Sequence, residues 1–71
     1  MSEPDQTIRL DHFMKLSGMV STGGQAKVVI QNEEVRVNGL LETRRRKKLK
    51  DGDQVTFAGE TVVVKIAELA G

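Results

Sequence analysis

Apolar positions follow a helical spacing in the first half of the chain and an alternating one in the second. In "IRLDHFMKLSGMV", Leu10, Phe13, Met14 and Leu16 fall on one side of a 3.6-residue period, which predicts a short helix over about 10–17. Asp11 near its start suits the positive end of the helix dipole, and Gly18 supplies a C-terminal stop. In "STGGQAKVVIQNEEV", Thr22 and Gln25 stand three apart, as in a capping box. Thr22 would accept from the Gln25 amide and Gln25 would reach back. Ala26, Val29 and Ile30 share one face, so a second helix is predicted over about 23–32 or 23–33. The period then shortens to two. "EVRVNGLLE" alternates around Asn38-Gly39, a strong hairpin pair, with Val35 and Val37 on one side and Arg36 on the other. Leu49, a turn at Asp51-Gly52, alternation through Val55 and Phe57, a turn at Gly59 and the strand-like "TVVVKI" follow.

Helix, helix, then several short strands define an α+β domain, with two short N-terminal helices packed on one face of a small sheet. The strands have no crossover helices between them, so the sheet should be mostly antiparallel. The 71 residues make one domain, and a chain of this size buries only about 60% of its unfolded surface, leaving little room for a deep pocket. Residues 1–7 are expected to form a flexible tail and residues 8–71 the single domain. "MSEPDQT" is polar and acidic, without the apolar stretch of a signal peptide. No run approaches the roughly 18 apolar residues of a membrane span. With no cysteine, a disulfide framework and a thiolate metal site are excluded. The expected compartment is the cytoplasm, with no membrane partner.

Charge changes the picture more than composition does. The net charge is +1, but residues 9–50 carry ten Lys or Arg against Asp11, Glu33, Glu34 and Glu42, a surplus of +6. Residues 1–8 hold −2 and residues 51–71 hold −3. Within the basic half, Arg44 to Lys50 packs six cations into seven positions, interrupted only by Leu49. A run of this kind is ordinarily a solvated loop. Against that, adjacent like charges repel and give a structural loop nothing. The run also lies between strand signals that would splay its side chains, and Arg44, Arg45 and Arg46 offer forked contacts suited to phosphate. A polyanion, above all nucleic acid, is the partner such a face fits. Two Phe and no Tyr or Trp leave no exposed aromatic platform, so phosphates and shape, not stacked bases, would be gripped.

"STGG" is the second feature. Two glycines at a helix start are costly, up to about 1 kcal/mol each against Ala in a helix interior. They either ease a tight inter-helix turn or leave Gly23 and Gly24 bare for an anion at the amide-rich helix start, with Lys15 and Lys27 adding charge. A P-loop is excluded, because Gly24 replaces the required Lys and a helix precedes the loop. His12 is the only histidine and has no second His or Cys to share a metal. Asp11 beside it on a helix does not face it, so a surface or half-buried histidine is the simpler reading. With no nucleophile–base pair and no carboxylate dyad, neither catalysis nor a metal or cofactor is expected.

The stretch from Arg9 to Val55 resembles the S-four RNA-binding domain, named after a small-subunit ribosomal protein. The resemblance rests on Arg9-Leu10-Asp11, Leu16, Ser21, Ala26, Ile30, Val35 through Val37-Asn38-Gly39, and Gly52-Asp53. With no catalytic domain attached, the chain is similar to the small stand-alone bacterial branch, the YbcJ/YaaA-like proteins. The resemblance implies an L-shaped helix pair, the alpha-L motif, on a small sheet. It implies structured RNA, ribosomal or transfer, as the partner; the chain itself is expected to be a monomer. Carried over by position, the contact candidates are Arg9, Lys15, Ser21, Thr22, Lys27 and Arg44, Arg45, Arg46, Lys47 and Lys48. Gly23, Gly24 and Lys50 join them on the charge and helix-start arguments. Many members have Ser-Arg where this chain has Ser21-Thr22, so bare amides would have to replace that arginine. The alternative is a small β-grasp carrier or protein-interaction domain, in which "VNG" followed by "KDGDQV" also occurs. Such carriers end in an activated Gly-Gly, and this sequence ends in a single Gly71.

Overall fold

A computed structural model describes residues 6–66. Of the expected tail, residues 1–5 lie outside them, as do residues 67–71 of the acidic end. The order of elements is β1 (Ile8–Arg9), α1 (Leu10–Leu16), α2 (Gly23–Gln31), β2 (Val35–Val37), β3 (Leu40–Leu41), β4 (Lys48–Leu49), β5 (Gln54–Phe57) and β6 (Glu60–Val63). Two helices followed by short antiparallel strands match the expected α+β class. The single sheet expected is instead two. One has four strands in the order β3-β2-β5-β6, and the other pairs β1 with β4.

The first helix ends at the stop its sequence carries, and the second ends at Gln31, one or two residues short of the expected bound. After α1, Gly18 takes φ +84°. The Gly18 amide donates to Lys15 (3.2 Å) and the Met19 amide to Met14 (2.9 Å), the paired bonds of a Schellman motif. The end of α2 repeats the motif, with Glu33 and Glu34 donating to Ile30 and Val29 at 3.1 Å each. Here a glutamate occupies the left-handed position, φ 65°, where glycine would be unstrained. At the start of α2 the Thr22 side chain accepts from the Gln25 amide at 3.0 Å. The Gln25 side chain accepts from Ser21 at 2.9 Å, one residue earlier than a regular capping box requires.

The hairpin between β2 and β3 turns at Asn38 and Gly39, φ 53° and 82°, the left-handed pair that this dipeptide tolerates best. Val35 and Val37 are buried while Arg36 is exposed, the alternation of a strand with one wet face. The core joins Leu10, Phe13 and Met14 of α1 to Ala26 and Ile30 of α2, and these to Val35, Val55 and Leu49. Phe57, expected in the core, is only half-buried and packs against its edge. No helix among the described residues is long and apolar enough to cross a membrane.

Candidate nucleic-acid interface

The basic run is stitched to the fold through its backbone. The first two amides of α1 have no partner inside their own helix, and Arg9 at the N-cap supplies no side-chain cap. Instead Leu10 donates to the Lys47 carbonyl (2.8 Å) and Asp11 to the Arg45 carbonyl (3.0 Å). The next amide, of His12, is taken by the Asp11 carboxylate at 2.7 Å. Register pairing of Arg9 with Lys48 and of Ile8 with Leu49 continues the seam. Leu49, fully buried, anchors the run from within, and such burial stabilises by about 1.5–3 kcal/mol.

The acidic residues flanking the run act as clamps. Glu42 accepts from the Arg44 amide and from its guanidinium Nε, both at 3.0 Å. Asp53 accepts from the Lys50 amide at 3.0 Å and from the Asn38 side chain at 3.1 Å. Asp51 accepts from the Ile66 amide at 2.6 Å. Burial pushes both the Glu42 and Asp53 carboxyls up, yet both sit below the ordinary range. The Arg44 hydrogen bonds and the charges of Arg44 and Lys47 outweigh burial at Glu42. The bonds from Lys50 and Asn38, with the charges of Lys50 and Lys47, do so at Asp53. The Glu42 hydrogen bond, with its charge, correspondingly raises the Arg44 guanidinium.

Not every predicted cation is therefore unengaged. Arg44 pairs with Glu42 at 3.0 Å and Arg9 with Asp11 at 3.3 Å. Among the described residues, Arg45, Arg46, Lys47, Lys48 and Lys50 form no ion pair. Of these, Arg46, Lys48 and Lys50 are exposed, while Arg45 and Lys47 are half-buried. The stretch Thr43–Lys48 curves around an open concavity of about 620 Å³, closed on one side by Gln31 at the end of α2.

The start of α2 lies elsewhere. Among the described residues, no acceptor meets the amides of Gly23 and Gly24. A Cβ at Gly23 would meet nothing within 4 Å, one at Gly24 only the Thr22 hydroxyl at 3.9 Å, and neither residue has positive φ. Neither turn geometry nor packing among the described residues thus requires these glycines. Gly23 closes a second concavity, of about 180 Å³, with Arg9, Asp11, His12, Lys15 and Leu16. Arg9, Lys15 and Gly23 are thereby brought together. Ser21, Thr22 and Lys27 are exposed nearby in sequence but do not line it. The two concavities sit at the two ends of α2, a helix about 13 Å long. Arg9 links them, lining the second and pairing in register with Lys48 of the first.

His12 lines this groove and Gln31 the rim of the other, and neither is among the contact candidates read from the sequence. His12 and Lys15 stand three and six after Arg9, a helical stripe that could have shown the first. Among the described residues no cluster of three or more His, Asp or Glu is placed to hold a metal.

A pair of short helices laid beside a small antiparallel sheet, with the second helix start and a basic loop left open, is the architecture of an S4 domain. Residues 3–65 match the S4 domain family model, and the chain belongs to that family. It is 42% identical over 57 residues to YbcJ of Escherichia coli K12, named as an RNA-binding protein, covering 80% of this chain and 81% of that one. It is 39% identical over 54 residues to RlbA of Bacillus subtilis, named for ribosome maturation, covering 76% of each. The solution structure of E. coli YbcJ, described as revealing an alpha-L motif involved in RNA binding, superposes with a TM-score of 0.62 at 36% identity. That match covers 89% of this chain and 78% of the other. Vibrio cholerae heat shock protein 15 shares the fold, with a TM-score of 0.73 at 20% identity over 84% of this chain and 64% of that one.

Proposed function

We propose that this chain is a non-catalytic RNA-binding module that grips the phosphate backbone of structured RNA, ribosomal or transfer, in the cytoplasm. The observation that carries the reading is the pinning of the basic run. Five cations that form no ion pair among the described residues stand on a loop whose backbone is fixed by α1 amides and by Glu42 and Asp53. Preorganised cations lose less freedom on binding, so more of their interaction appears as affinity. Neutralised phosphates release counterions and supply most of that affinity, while A-form shape selects the target. The YbcJ and RlbA names support RNA and a ribosome-linked role. Gly23, with Arg9 and Lys15 beside it, and the adjacent Gly24 form the second contact region, where bare amides replace the arginine many family members have.

The test is binding of a structured RNA by the wild type and by the triple variant Arg45→Glu, Arg46→Glu, Lys48→Glu, measured across a salt series. Arg44 is left intact because it clamps Glu42. The wild type should show a steep log–log salt dependence, and each lost phosphate contact should lower the slope by about 0.7–0.9. The triple variant should lose binding with an unchanged circular dichroism spectrum. Retained binding by a folded triple variant refutes the assignment.

A further inference from the structure

We infer that the groove between the β2–β3 hairpin and the basic run seats a single unstacked nucleotide, so that the preferred RNA carries a bulged or looped residue beside a helix. This rests on the RNA-binding reading and narrows it.

Leu40 is 73% exposed and Leu41 46%. The Asn38-Gly39 turn accounts for its own two residues but not for two leucines after it. Successive strand residues face opposite sides, and here Leu40 lies opposite Val37 and Leu41 opposite Arg36. Both nevertheless line one groove of about 480 Å³, which therefore laps around the edge strand β3. Its other wall is Arg44, Lys47, Lys48 and Lys50. Glu42 and Asp53 line it too, but both Asp53 oxygens accept, from Asn38 and Lys50, and Glu42 Oε2 accepts from Arg44. The groove thus presents an apolar shelf against a cationic wall. Its complement is a ligand with an apolar face and an anionic group a few ångströms away.

An unstacked nucleotide has that form. An acidic peptide with an apolar anchor has it too, but continuity favours the nucleotide. Arg44, Lys47 and Lys48 also line the concavity proposed for phosphates. A strand running along them reaches the leucine shelf at its next step. A fully paired duplex keeps its bases stacked inside and leaves the shelf empty, whereas a bulge or loop splays one out.

The test uses the full chain, a short labelled RNA duplex, and the same duplex with one bulged adenosine, read by fluorescence anisotropy. The wild type should bind the bulged RNA at least about fivefold more tightly, a modest effect for a base packed on aliphatic rather than aromatic groups. The variant Leu40→Ser, Leu41→Ser should bind both RNAs with the wild-type affinity for the perfect duplex. Leu40→Gln alone, with most of the fold's contacts untouched, should lose most of the preference and serves if the double variant unfolds. Equal affinities in the wild type, or a preference that survives in the folded variants, overturn the inference while leaving the phosphate grip standing. Leucine-dependent binding of the peptide Asp-Glu-Leu-Leu-Asp-Glu without a bulge preference also overturns it, in favour of a protein occupant. Binding of neither RNA removes the RNA-binding reading and this inference together.

Discussion

Asp53 ties the hairpin turn to the end of the basic run, and replacing it by Ala should loosen both. The residue is 9% exposed, and its carboxylate holds the Lys50 amide at 3.0 Å and the Asn38 amide group at 3.1 Å. The variant leaves both donors without this acceptor. Hydrogen bonds to a charged group contribute about 1.5–3 kcal/mol each. The site is covered but shallow, and water can replace part of the loss, so a total of about 2–3 kcal/mol is expected. In a domain of this size that lowers Tm by about 10–20 °C. Asp53→Asn keeps one acceptor oxygen and should fall about midway. Urea and thermal unfolding at neutral pH, followed by circular dichroism, measure both. The pH dependence follows from the same bonds. The folded carboxyls of Asp53 and Glu42 lie below their ordinary values, so the unfolded chain binds protons first as pH falls. The stability they contribute is fully present above the ordinary carboxyl range and is lost on acidification through the lower folded values. An Asp53→Ala variant within about 0.5 kcal/mol of wild type, the range of unremarkable surface changes, would refute the clamp.

Glu33→Gly should raise stability by about 1 kcal/mol, because φ 65° strains any residue with a Cβ and glycine relieves it; urea denaturation reads the shift in midpoint. Gly23→Ala with Gly24→Ala should stabilise α2 by up to about 1 kcal/mol per site, since no group among the described residues opposes either Cβ. The same pair should weaken RNA binding by obstructing the bare amides, so unfolding and binding measured together separate the anion-site reading from a simple turn.

The two helices and the β2–β3 hairpin were legible because each has a strong local cause. Thr22 caps α2, Gly18 stops α1, and Asn38-Gly39 turns the hairpin. What escaped depends on partners distant in sequence. Ile8–Arg9 is a two-residue strand with no period to detect, and it exists because Lys48–Leu49 pairs with it. Phe57 alternates as a core residue should, but its place near the sheet's end leaves it only half covered. The basic run was visible as charge, while its tethering was not. In sequence Glu42 counts as charge, Asp51 as a turn residue and Asp53 as part of the family motif, and only the fold shows them spent on backbone amides and on Arg44. In sequence the helix start and the run are both contact candidates for one RNA partner. In the structure they line separate concavities joined through Arg9.

Amide chemical shifts of the isotopically labelled protein, titrated with a structured RNA, test most directly whether those two concavities act as one phosphate-binding surface. Shifts at Gly23 and Gly24 that grow in step with those at Arg45 to Lys48, with one common dissociation constant, are the predicted result. Shifts confined to one of the two regions, or saturating at separate concentrations, would contradict it.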